Sequence, residues 1–292
     1  MHTRPRRSAL YMPGANARAL EKARTLPADV VILDLEDAVA PDAKVTAREQ
    51  VAAAVAGGGY GDREVVIRIN ALGSPWGAQD LAAAAAAGPD AILVPKISDA
   101  AELAAIADGM ARAPERVRVW AMIETPLAIL NLREIAASAQ GASRLACFVL
   151  GTNDLVKETR AELDGNRTAA LYWLSAAVTA ARAYGLIVID GVYNNFRDRE
   201  GLRRECVQGR QLGMDGKTLI HPDQIADANE IFSPSADELA WSRKVVAAFE
   251  SPENADKGVL SVDGRMVEIM HRDIARRTVA VAEAIAARGG QV

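Results

Sequence analysis

The chain has 292 residues, 50% hydrophobic and 25% charged, with a formal net charge of −4. That length supports a sizeable core in one large domain or two small ones, and the composition excludes wholesale disorder. The mild acidity argues against a nucleic-acid binder, and the lack of any 18-residue apolar stretch argues against a membrane span.

In chain order, short apolar runs rich in β-branched residues recur. They are Ser8 to Met12, Val30 to Leu35, Glu64 to Asn70, Ala91 to Pro95, Arg118 to Ile123, Leu145 to Leu150, Gly185 to Asp190 and Lys217 to Ile220. Near-continuous apolarity marks parallel strands buried on both faces. Between them lie alanine-rich helical stretches: 16–25, 42–56, 76–87, 99–112, 125–139, 171–184, 199–212 and 224–232. Asn16, Asp42 and Asp99 read as N-caps, and Gly57, Gly88, Gly185 and Gly213 as C-terminal stops. Eight strands alternating with eight helices predict an α/β fold, a (β/α)₈ TIM barrel over 1–232. An open doubly wound sheet is the runner-up, weakened by the absence of a G-x-G-x-x-G loop.

Beyond the barrel, 233–292 reads as an appendage. It comprises a helix from Ser235 to Glu250 with a capping box, an extended loop from Ser251 to Arg265 and a terminal helix from Met266 to Arg288. No apolar run of signal-peptide length follows Arg4, Arg6 and Arg7, so a cytoplasmic setting is expected. Cys147 and Cys206 read as buried thiols.

A TIM barrel carries its chemistry at the C-terminal ends of its strands. Those ends carry Glu36-Asp37, Arg68 and Asn70, Lys96, Glu124, Gly151-Thr152-Asn153-Asp154, Asp190 and His221. The strand starts, by contrast, read as Ala, Leu and Gly. Polar residues mark strand ends in any fold, and Asp190 or His221 alone fits a cap or a loop residue. Arg68 is different: inside VVIRIN it needs an anionic partner. Glu124 and Asp154 come from adjacent strand ends and are the candidate metal pair. Two carboxylates without a His or Cys cluster suit Mg²⁺, with Mn²⁺ the alternative ion, and such an ion could chelate and polarise a 2-oxo acid. Lys96 supplies a competing reading, a Schiff base with a ketone, against an ordinary salt bridge.

The strings YMPGANARALEKA, VVILDLEDAVAPDAK, VVIRINALGSPWGAQDL, ILVPKI, MIETPLAILNLREIA, GTNDL, IDGVYNN and LGMDGKTLIHPDQI stand in order from about Arg7. Together they resemble the HpcH/HpaI aldolase and citrate lyase β-subunit family, on its CoA-ester lyase branch. The resemblance extends to about Glu268 and implies a TIM barrel assembled as a homotrimer or hexamer. It implies that Glu124 and Asp154 hold Mg²⁺ and that Arg68 contacts substrate oxygens. Glu36 and Asp37 would order metal-bound water and Arg68, and the loop Gly151, Thr152 and Asn153 would hold a 2-oxo acid carboxylate. Arg18, Lys22 and His221 would lie along the coenzyme A arm of the substrate.

The same resemblance implies a C-terminal lid that delivers a catalytic carboxylate to a neighbouring subunit. Here that position is Glu268 where the family has Asp, the following Pro is missing, and Asp263 is a weaker substitute. Asn153, in GTNDL where GAEDL is commoner, removes a negative charge beside Asp154. The reaction implied is Mg²⁺-dependent carbon–carbon cleavage, or Claisen formation, of a 3-hydroxy-dicarboxyl-CoA such as malyl-CoA or citramalyl-CoA, giving an acyl-CoA and a 2-oxo acid. The alternatives are a pyruvate aldolase on free aldehydes, a CoA thioesterase, a citrate lyase β subunit within a complex, or a non-catalytic scaffold.

Overall fold

In the computed structural model, which describes residues 4–289, eight parallel strands close on themselves in chain order. They are β1 (Ser8–Pro13), β2 (Val30–Asp34), β3 (Glu64–Arg68), β4 (Ala91–Val94), β5 (Arg118–Ile123), β6 (Leu145–Leu150), β7 (Ile187–Asp190) and β8 (Gly216–Leu219). Closure comes from β1 pairing with β8, Ala9 opposite Thr218. The residues of β2, β3, β4 and β8 are buried throughout, as strands covered on both faces require. Ala9, Ile32, Val66, Leu93, Trp120, Met122, Val149 and Ile189 belong to one buried core cluster contributed by seven of these strands.

The helices are α1 (Ala17–Ala23), α2 (Lys44–Gly57), α3 (Gly77–Ala87), α4 (Ala100–Gly109), α5 (Pro126–Leu130), α6 (Leu132–Ala137), α7 (Thr152–Thr159), α8 (Leu171–Ala183), α9 (Arg199–Leu212) and α10 (Ile225–Ile231). Asn16 and Asp99 cap their helices as expected. Asp42 does not: it lies in a short 3₁₀ turn, Pro41–Ala43, and α2 begins without a side-chain cap. The stretch 125–139 is two helices, because Asn131 leaves helical geometry and its amide donates to the Ser98 carbonyl at 2.9 Å. The residues after β6 form α7 instead of a loop. Its weak apolar pattern, with Thr152 and Leu155 its buried residues, hid it from periodicity.

Arg6–Asn229 form one compact unit, and residues 230–289, with 4–5, a second. The second unit contains α11 (Ala236–Glu250), β9 (Val259–Val262), β10 (Arg265–Glu268) and α12 (Ile269–Ala286). Ser235 and Glu238 form the expected capping box. The loop expected over 251–265 includes β9, which joins β10 in an antiparallel hairpin, and the terminal helix starts only at Ile269. Asp263 and Gly264 both take positive φ, 48° and 76°, the geometry of a tight two-residue hairpin turn. Val245, Phe249, Val262, Val267 and Ala275 make this unit's core. Residues 1–3 and 290–292, the outer ends of the two expected segments, lie outside the described residues. Among the described residues no helix is long and apolar enough to cross a membrane.

Candidate active site at the barrel mouth

The C-terminal strand ends enclose a cavity of about 310 Å³. Arg68, Asp37, Glu124, Gly151, Thr152, Asn153 and Asp154, seven of the residues singled out from the sequence, line it together. Arg18, Lys22 and His221 do not. The first two are exposed on α1, and His221 is the N-cap of a short 3₁₀ turn, stacked on Phe196 at 4.7 Å.

Arg68 ends β3 directly opposite Asp34 at the end of β2. Asp34 takes the guanidinium in a bidentate grip, Nε and Nη2 each donating at 2.7 Å. The same carboxylate accepts the Glu36 and Ala38 amides at 2.9 and 3.1 Å. Asp34 therefore fixes both the arginine and the loop carrying Glu36 and Asp37. Those two residues meet Arg68 Nη1 at 2.7 and 3.2 Å, leaving one N–H on Nη2. Burial pushes the Glu36 carboxyl up to about 8, against the pull of Arg68. Asp34 was missed in the sequence because it sits inside the apolar string VVILDL. The signal that could have found it was an unbalanced Asp in one buried strand beside an unbalanced Arg in the next.

Lys44 was also missed. Buried at the start of α2, its ammonium donates to the carbonyls of Leu35 and Glu36 at 2.9 and 2.8 Å and to Asn70 Oδ1 at 2.7 Å. It thus clamps the loop from behind.

Glu124 follows β5 and is 1% exposed, while Asp154 lies in the first turn of α7, where the helix dipole favours an anion. Gly151 lets the two approach, since a Cβ there would run into the Glu124 side chain. Burial pushes Glu124 up to about 7, opposed by Lys96. Lys96 Nζ is ion-paired with Asp154 and lies 3.8 Å from Glu124 Oε1, so one cationic atom reaches both carboxylates. Two acidic oxygen donors sharing one cation fit a divalent ion completed by water and substrate oxygens. Among the described residues no group of three or more His, Cys, Asp or Glu is arranged to hold a metal, so the ion would depend on those outside oxygens. Burial would lower the Lys96 pKa, but the Asp154 and Glu124 carboxylates more than offset it and raise the value. That is opposite to what a Schiff-base nucleophile needs, and the salt-bridge reading stands.

The Gly151 amide donates to the Ile123 carbonyl at 3.0 Å and is not available to a ligand. Thr152 and Asn153 open α7, where backbone amides lack intrahelical acceptors. Asn153 exchanges amide hydrogen bonds with Asn194 at 3.2 and 2.9 Å, joining α7 to the segment after β7 across the rim.

Asp190 is structural. Fully buried, it accepts from Arg167 at 2.8 Å and Lys217 at 3.0 Å, with Glu205 at 2.8 Å from the same lysine. Burial would raise its pKa, but Lys217 and Arg167 hold it below the usual value. The strand starts are also charged, contrary to the sequence reading: Arg6–Glu64, Arg7–Asp29 and Arg182–Asp215 pairs line the base, set by side chains in and beside the strands. Cys147 and Cys206 are buried and free.

A family model described as HpcH/HpaI aldolase/citrate lyase matches residues 7–222. A (3S)-malyl-CoA thioesterase of Cereibacter sphaeroides (strain KD131) is 50% identical over 97% of this chain and 96% of its own length. The chain belongs to the HpcH/HpaI aldolase/citrate lyase family. A citrate lyase subunit beta of Escherichia coli K12 is 36% identical over 96% of this chain and 94% of that protein. The CitE protein of Mycobacterium tuberculosis, crystallised with magnesium, acetoacetate and coenzyme A, matches with a TM-score of 0.73. It is 30% identical, over 94% of this chain and 97% of the other. At family level the chain is a carbon–carbon lyase. Asn153 is held by Asn194, and Glu268 ends β10 and caps α12, its amide accepted by His271 Nδ1 at 3.0 Å.

Proposed function

We propose that the chain acts on the coenzyme A thioester of a short 3-hydroxy dicarboxylic acid, of the malyl-CoA type. Glu124 and Asp154 hold Mg²⁺, and hydrolysis of the thioester is the net reaction. The observation that carries the substrate class is the convergence of Glu124, Asp154 and Arg68 in one cavity. An oxygen-rich anionic acid needs cations, and this site offers a divalent-ion position facing an arginine. The magnesium and coenzyme A bound by the Mycobacterium protein support both ligands.

When bound, Mg²⁺ supplies Lewis-acid polarisation of a chelated oxygen. The chain's own residues do the rest. Arg68, held flat by Asp34, offers its remaining Nη2 proton to a substrate oxygen, and the amides opening α7 receive the carboxylate. Asn153 and Asn194 close the rim beside them. Thioester hydrolysis adds water across the C–S bond, releasing the free acid and the thiol of coenzyme A.

The Cereibacter thioesterase, at 50% identity over nearly the full length, supports hydrolysis over the carbon–carbon cleavage that the sequence put first. That cleavage, to an acyl-CoA and a 2-oxo acid, is the second reading, favoured by the metal pair and Arg68, which suit either reaction. Assembly as a trimer or hexamer with exchange of the C-terminal segment, and an acid/base role for Glu268, belong to the same proposal.

The test is product analysis with (3S)-malyl-CoA and Mg²⁺. Equimolar malate and free coenzyme A without glyoxylate support hydrolysis. Acetyl-CoA with glyoxylate moves the assignment to carbon–carbon cleavage. Intact substrate, here and with citramalyl-CoA, overturns the reading.

A further inference from the structure

Tyr11 lies in β1 between buried Leu10 and Met12, and its side chain lines the active-site cavity with Arg68, Glu124 and Asp154. The Arg68 guanidinium lies over the ring, 4.7 Å from its centroid. Among the described residues the Tyr11 hydroxyl has no hydrogen-bond partner, and it is not sealed from the cavity. A largely buried phenol usually finds a partner. Here the protein around it is rich in carboxylates, each already directed elsewhere. Asp34 and Glu36 take Arg68, and Glu124 takes the Lys96 amide at 2.7 Å.

We propose that Tyr11 is a substrate-contacting residue whose hydroxyl donates a hydrogen bond to an oxygen of the hydroxy-acid end of the thioester, beside the remaining Nη2 proton of Arg68. This rests on the reading of the cavity as a thioester site. A phenol is suited to the position because it donates without adding charge. Burial, against the opposing pull of Arg68, also holds its pKa well above the ordinary tyrosine value, so the proton stays in place. The ring has a second duty as the surface under the Arg68 guanidinium, 4.7 Å from its centroid. Hydroxyl and ring can be separated by substitution.

Tyr11→Phe keeps the ring and removes the hydroxyl; Tyr11→Leu removes both. Two readouts are needed: L-malate binding in the presence of Mg²⁺ by calorimetry, and release of coenzyme A from malyl-CoA. For Tyr11→Phe the expected result is about a 10-fold weaker malate affinity and a comparable rise in KM. Melting temperature and Mg²⁺ affinity should stay unchanged. A wild-type-like Tyr11→Phe beside an impaired Tyr11→Leu would reduce Tyr11 to a support for Arg68 and overturn the proposal. If the wild type binds malate but releases no coenzyme A, a weakened Tyr11→Phe still upholds Tyr11 while the thioesterase reading falls. Failure of the wild type to bind malate overturns both.

Discussion

At the base of the barrel Arg6 meets Glu64 at 2.5 Å, Arg7 meets Asp29 at 2.8 Å and Arg182 meets Asp215 at 2.8 Å, so each named carboxylate has a cation against it. At the mouth Asp34, Glu36, Asp37, Glu124 and Asp154 are arranged around Arg68 and Lys96. Paired charges at the base tie strand starts to one another and to α8, each carboxylate already facing a cation. The mouth carries more carboxylates than cations even with Lys44 behind the loop counted, and two of them, Glu36 and Glu124, are buried enough to have raised pKa values. Such a cluster is costly for the folded state unless a further cation joins it. The contrast distinguishes charge that stabilises from charge that waits for a ligand.

The sharpest way to break that contrast is to neutralise a proposed metal ligand. Glu124→Gln should lower activity by at least about 10³-fold, since Lewis-acid stabilisation is worth several kcal/mol. Relief of repulsion should leave the melting temperature unchanged or higher. A variant with full turnover would remove Glu124 from the chemistry. Asp34→Asn should come next, with a loss of about 10²-fold from a misplaced arginine. A restored activity in Asp34→Glu would show that the carboxylate acts by positioning.

At the base the expectation reverses. Asp29→Asn should cost about 3 kcal/mol, seen as a melting temperature lower by roughly 6–12 °C, because it removes the buried carboxylate that takes Arg7 Nε and Nη2. Its kcat should be that of the wild type at temperatures where it remains folded. A fall in kcat without a fall in stability would erase the distinction between the two ends.

The smallest effect concerns pH. Asp190 has a folded pKa held below its unfolded value by Lys217 and Arg167. Its contribution is therefore present above the unfolded value, near pH 4, and is lost as pH falls through the folded one. Wild type should melt above Asp190→Asn at pH 6, with the gap closing as the pH falls below about 4. A gap that stays constant would show that the depressed carboxylate is not its source.

Much of the barrel was legible because its signal is local. Eight doubly covered strands leave eight apolar runs, and Arg68 within VVIRIN announced a partner. What was not legible depended on pairings between distant residues. Asp34 could be valued only once β2 lay beside β3 in register, and Lys44 only once α2 folded its ammonium back onto the Leu35 and Glu36 carbonyls. The charged base escaped because its carboxylates sit at or before strand starts, where an Asp reads as turn chemistry. The hairpin of the second unit was legible in principle: Asp263-Gly264 between two alternating segments is a strong hairpin signal.

Calorimetric titration of Mg²⁺ into the wild type, Glu124→Gln and Asp154→Asn tests most directly whether the acidic mouth is a metal site. One Mg²⁺ per chain on the wild type, strongly weakened in both variants with unchanged melting profiles, is the predicted result. Equal Mg²⁺ binding in all three, or none in the wild type with malate present, would contradict it.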